Sequence, residues 1–194
     1  MLRLNREMDN DLIENCKRGD PAAQRLLFNQ VSPRMLVVCR RYLSNRTEAE
    51  EVLIAGFLQV FSRIGQFRND GSFEGWVRKI MVNEALGFLR KKRSLFLFSE
   101  LDNAIGEQEP ILPDTAMHLE ELLEMVASLP DGYRAVFNLY AIEGYSHHEI
   151  SELLGIEEST SKSQLSRARE LLRQRLGKVE KRNFKKVLPN GKSD

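Results

Sequence analysis

Along the chain, apolar residues recur at intervals of three and four, and runs of β-branched residues with period two are missing, so the pattern predicts an all-α protein. Within 46–67, Val52, Leu53, Phe57, Val60, Phe61 and Ile64 form a broad helical stripe behind a carboxylate cluster of Glu48, Glu50 and Glu51. A polar loop follows, and Ser72 is placed to cap the next helix. In that helix Val77, Ile80 and Leu86 suit a core, while Trp76, Lys79 and Asn83 share another face at i, i+3 and i+7.

A second set of helical patterns starts near residue 119. Leu122, Leu123, Val126 and Leu129 make one apolar face that ends at Pro130, and Val136, Phe137, Tyr140 and Ala141 make the next, before Gly144. Ser146 followed by Glu149 has the capping-box spacing, so a third helix starts there with Ile150, Leu153 and Leu154 as its core face. Gly155 suits the left-handed conformation that ends it, and a fourth helix begins near Ser159 with Leu165, Ala168, Leu172 and Leu176 facing inward. The order is that of a helix-turn-helix.

Composition narrows the function classes. The chain has 194 residues, 42% of them hydrophobic, enough for one ordinary domain or two small ones. Its net charge of +1 hides a segregation of sign: residues 1–93 carry 17 Lys and Arg against 11 Asp and Glu, while 94–118 carry none against 5. Residues 119–177 carry 6 against 10, and 178–194 carry 6 against 2. The expected architecture is two small helical domains, 1–93 and 119–177, joined by a flexible acidic linker at 94–118, with the second a four-helix helix-turn-helix domain and 178–194 a disordered basic tail. Cys16 and Cys39 have no paired spacing and no apolar leader is seen, so a cytoplasmic protein with reduced thiols is expected. The three histidines have no zinc-site spacing, and no phosphate loop or nucleophile motif is present, so neither a metal, a cofactor nor an enzymatic activity is expected.

The chemistry that remains is nucleic-acid chemistry. Thr160, Ser161, Lys162, Ser163, Gln164 and Arg167 lie at the start of the fourth helix, where side chains reach base edges once such a helix enters a major groove. Lys162 and Arg167 suit phosphates or guanine, Gln164 suits adenine, and the two serines allow close approach. In the first domain the Trp76, Lys79 and Asn83 face, with Arg90 in the basic run that follows, suits single-stranded DNA: extruded bases need an aromatic or amide-lined pocket and phosphates need cations.

Residues 129–172, "LPDGYRAVFNLYAIEGYSHHEISELLGIEESTSKSQLSRARELL", resemble the promoter-binding domain of bacterial RNA polymerase sigma factors of the extracytoplasmic-function group. Ser161 stands where many members have Val. Residues 67–93 are similar to the segment of that family that melts and reads the minus-ten element, which implies that Arg68, Asn69 and Asp70 hold an extruded base. For 46–67 the resemblance implies docking of Glu48, Glu50, Glu51, Val52, Leu53 and Phe57 on a coiled coil of the polymerase clamp. Ile54 and Ala55 replace the family's usual Gln and acidic pair there, so this surface is more apolar than the family pattern. The implied partners are core RNA polymerase, promoter DNA and an anti-sigma factor. The competing reading is a two-domain regulator that binds an operator as a dimer without polymerase.

Overall fold

In the computed structural model the described residues are 10–68, 70–98 and 119–187, with side chains described over 10–68, 70–92 and 123–177. All regular structure among them is helical, in two compact units, Met1–Glu100 and Leu101–Asp194. Asn69 and most of the expected linker lie outside the described residues.

The first unit holds α1 (Asn10–Lys17), α2 (Pro21–Tyr42), α3 (Arg46–Arg63) and α4 (Phe73–Phe98), with a single 3-10 turn, Ile64–Gln66, after α3. Helix α2 starts sharply because Asp20 accepts a hydrogen bond from Ala22 N–H (3.0 Å) and Pro21 occupies the first turn, where its missing donor costs nothing. Asn45 caps α3, its Oδ1 accepting from the N–H groups of Thr47 (2.8 Å) and Glu48 (3.2 Å). Ser72 caps α4 as expected: its Oγ accepts from Gly75 N–H at 3.3 Å. Helices α2, α3 and α4 pack on one another around Leu27, Val31, Met35, Val52, Phe57, Val60, Val77, Met81 and Ala85. Phe28 meets Phe57 edge to face with centroids 4.7 Å apart. Gly56 lets α4 close on α3, since a Cβ there would run into the Met81 thioether. Two ion pairs tie the helices at their ends, Arg34 to Glu74 (2.6 Å) and Lys92 to Glu48 (2.7 Å). Helix α4 runs on to Phe98, beyond the expected boundary at Arg93, because "SLFLF" carries no helix breaker.

The second unit holds α5 (Leu119–Ala127), α6 (Asp131–Phe137) continued by a π-helical turn (Asn138–Ile142), α7 (His147–Leu154) and α8 (Glu158–Val187). Arg134 is buried where a cation needs partners, and it has them: Nη1 donates to the carbonyls of Ala127 (2.6 Å) and Leu129 (2.8 Å), and Nη2 pairs with Asp131 (2.5 Å). Arg175 of α8 donates to the carbonyls of Met125 (3.3 Å) and Ser128 (3.2 Å). The carbonyls at the end of α5 thus gain donors from two other helices. Helix α8 extends ten residues past the expected limit at Gly177, so the start of the basic segment expected to be disordered is helical.

Candidate functional site

The helix-turn-helix is built locally from its caps. Ser146 Oγ accepts from Glu149 N–H (3.2 Å), and Glu149 Oε2 accepts from Ser146 N–H (2.8 Å) and Oγ (2.7 Å), a complete capping box. Those two bonds hold the Glu149 carboxyl below its ordinary range, the Ser146 backbone donor having the largest effect. Gly155 ends α7 at φ 63°, where its N–H reaches Ser151 O. Ile150 and Leu165 then seal the angle between α7 and α8.

Helix α8 sorts its first three turns by face. Leu165 and Ala168 point inward; Ser159, Lys162, Ser163, Ser166, Arg167, Arg169 and Glu170 are exposed. Lys162 pairs with Glu158 (2.7 Å), and this contact lowers the Glu158 carboxyl. Ser163 Oγ donates to Thr160 O (3.0 Å), and Arg167 Nη1 donates to Tyr133 Oη (3.3 Å). Thr160 and Gln164 are half-buried, and the Gln164 amide lies against Gly132 of α6. Ser161 corrects the sequence reading. It is 0% exposed, its Oγ 2.9 Å from His147 Nδ1, so it serves the contact between α7 and α8 and cannot touch a base. Its place one turn before the inward-facing Leu165 was the available signal. A short hydroxyl in a polar run reads as surface unless the phase of the helix is known.

On α3 the expected docking residues separate in the same way. Val52 (3%), Leu53 (7%) and Phe57 (3%) are core, which removes them from any partner surface. The stripe that hydrophobic periodicity picks out is the face buried by folding. Glu48 is engaged by Lys92 and Glu50 by Arg46 (2.9 Å), while Glu51 is exposed. The outward face is instead Glu51, Ile54 and Leu58, spaced at i, i+3 and i+7, with Ile54 56% and Leu58 67% exposed. Leu58 was missed by the sequence reading; its departure from the stripe's phase was the only sign.

At the α4 face, Trp76 is half-buried and packs at a tilt against Phe67 and Phe73, with ring centroids 5.6 and 5.7 Å apart, so it is part of the packing at the helix start. Lys79, Asn83 and Arg90 are exposed, as are Arg68 and Asp70 in the loop before α4. Gly71 takes φ 145°, a conformation that side-chain-bearing residues rarely adopt. Trp76, Lys79 and Asn83 therefore do lie along one helix face, with the indole anchoring it and the polar pair outward. Among the described residues no cluster of His, Cys, Asp and Glu could hold a metal, and no helix is long and apolar enough to cross a membrane.

Comparison with known proteins assigns both units. Sigma-70 region 2 matches residues 27–95 and Sigma-70, region 4 matches residues 119–172. The ECF RNA polymerase sigma factor SigW of Bacillus subtilis is 30% identical over 176 residues, covering 84% of this chain and 94% of the relative. The RNA polymerase sigma-H factor of Pseudomonas aeruginosa is 28% identical over 183 residues, covering 87% and 94%. Among solved structures, the sigma factor RpoE of Bartonella quintana, crystallised with the anti-sigma factor NepR, shares the fold with a TM-score of 0.51 at 21% identity, covering 79% of this chain and 96% of that one. With regions 2 and 4 present in that order and a relative of this identity matched along nearly its whole length, the chain belongs to the ECF RNA polymerase sigma factors, which bind core polymerase and set its promoter specificity.

Proposed function

We propose that this sigma factor divides its work among three surfaces. The outward face of α3, Glu51, Ile54 and Leu58 with Glu50 at its margin, docks on core polymerase. Lys79, Asn83 and Arg90 of α4, with Trp76 and the loop residues Arg68, Asn69 and Asp70, capture the displaced strand of the minus-ten element. Lys162, Ser163 and Arg167 of α8, supported by Thr160 and Gln164, read the minus-thirty-five duplex. The observation that carries this reading is the sorting of α8 over 159–169, where the exposed side chains are short hydroxyls and cations while the apolar Leu165 and Ala168 are buried against the unit. Such a face fits a groove lined by acceptors and phosphates.

The protein works in the cytoplasm and supplies binding free energy alone, with no bond-making chemistry of its own. An anti-sigma factor holds it inactive, as its Bartonella fold relative is seen bound to one. The operator-binding dimer is not favoured, because it leaves the region 2 match without a role.

The test is transcription from a promoter library by core RNA polymerase with and without the purified chain. Expected is a set of transcripts that depends on the chain. A chain that binds DNA but adds no transcript, or that fails to associate with core polymerase, overturns the assignment of surfaces.

A further inference from the structure

Ser161 and His147 make a contact that the reading of DNA does not use directly. His147 opens α7, and its Nδ1 lies 2.9 Å from the buried Ser161 Oγ. The same imidazole stacks on Tyr140 of the π-helical turn, with centroids 4.6 Å apart and planes 24° apart. On α8 the Arg169 guanidinium sits over the Tyr140 ring, 5.6 Å from its centroid. One aromatic pair therefore touches α8 at two residues, 161 and 169, which are about 12 Å apart along the axis at the helical rise. Lys162, Ser163 and Arg167 all lie between those two points.

We propose that His147 and Tyr140 are positioning residues for promoter reading: a bracket that fixes the rotation and depth of α8 without touching DNA. The proposal rests on α8 being the reading helix. A helix held at one point can still turn about it, whereas two points on either side of the reading segment fix both rotation and slide. Rotation matters because adjacent residues are about 100° apart around the axis, so a small turn moves every reading side chain at once. Sites that must match a ligand geometry need supports of this kind. The inner contact is the stiffer of the two, since a buried hydroxyl is held to its partner by the cost of leaving it unpaired. The outer contact, cation over exposed ring, is screened by water and acts as the weaker stop.

A reader and its support leave different marks on base preference. Loss of a reading side chain flattens the position it contacts; loss of a support flattens all positions together. The experiment is selection from a DNA library randomised across both promoter elements by the full chain bound to core RNA polymerase, followed by sequencing of the retained DNA. Expected for Arg167→Ala is flattening confined to one minus-thirty-five position. His147→Phe, which keeps the stack but loses Nδ1, and Tyr140→Leu should each lower the enrichment of preferred bases at all minus-thirty-five positions by about fivefold or more, the discrimination of one good base contact. Melting temperatures are measured alongside. If Arg167→Ala flattens its position while both bracket variants keep the wild-type preferences throughout, the bracket is only packing and the proposal fails alone. If Arg167→Ala, Lys162→Ala and Ser163→Ala also leave the preferences unchanged, the assignment of α8 as reader falls and takes the bracket with it. Should His147→Phe unfold the unit, Tyr140→Leu decides, because that ring is at the surface.

Discussion

Helices α3 and α8 each show solvent a face three to four residues in period, but α3 exposes Ile54 and Leu58 beside a carboxylate, whereas α8 over 159–169 exposes serines and cations. The difference matches what each face would meet in its proposed role. A protein partner rewards apolar area removed from water, and a few such side chains at the centre of an interface carry most of its affinity. DNA offers phosphates and groove acceptors, so an apolar face would gain little there and a polar one gains at each contact. The inner faces differ as well. The inner face of α3 is wholly apolar, while α8 buries Ser161 among its apolar contacts and needs His147 to satisfy it. The docking proposed for α3 would tolerate small shifts of a smooth apolar seam. The reading proposed for α8 would not, and a directional hydrogen bond in its support fits that need.

The contrast breaks most visibly at the neighbours Phe57 and Leu58. Phe57→Ala should cost about 3–5 kcal/mol of stability in the first unit, the usual range for emptying a buried aromatic site, measured by denaturant unfolding. Leu58→Ala should leave that midpoint within about 0.5 kcal/mol and lower affinity for core polymerase instead. Combined with Ile54→Ala, the loss should reach about 2 kcal/mol or more, as expected for truncation at the centre of an interface, read by titration against labelled core enzyme. If the double variant binds as tightly as wild type, the outer face of α3 is not the docking surface.

On α8 the changes should be smaller and selective. Arg167→Ala should remove about 1–3 kcal/mol of discrimination at one base pair, and Lys162→Ala should weaken binding to all duplexes alike with a shallower salt dependence. A common loss of base discrimination in both variants would contradict the division between reading and positioning contacts.

The smallest effect is expected at the α7 cap. The Glu149 carboxyl is held below its ordinary value of 4.5 by Ser146, so the cap contributes stability above that value and loses it as pH falls through the lowered one. Glu149→Gln should therefore melt below wild type near neutral pH, and the gap should close in acid. A gap that is constant with pH would show that the carboxylate's charge is not what the cap uses.

Much of the fold is legible in the sequence because its signals are local. Capping at Ser72, the box of Ser146 with Glu149, and the left-handed Gly155 each depend on residues within one turn of one another, and the structure has all three. The candidate sites were less legible, for a definite reason. Periodicity reveals which residues share a face of a helix but not which face is turned to the core, and on α3 the most apolar stripe, Val52, Leu53 and Phe57, is the one that folding consumes. Leu58 is as apolar as Leu53 and differs only in pointing away from α2 and α4. On α8 the same ambiguity ran the other way, and Ser161 joined the reading face on composition alone. Asn69 lies outside the described residues.

By itself, then, the order of residues determined the all-α class, the caps at Ser72, Ser146 and Gly155, and the family. Those rest on short-range backbone bonding and on patterns that survive without neighbours. Only the tertiary structure decided which apolar residues are left over after the core is filled, that Lys92 engages Glu48 across two helices, and that His147, Tyr140 and Arg169 meet around α8. Each of those is a contact between residues distant along the chain, or across the turn of the helix-turn-helix, whose distance is set by how whole helices pack.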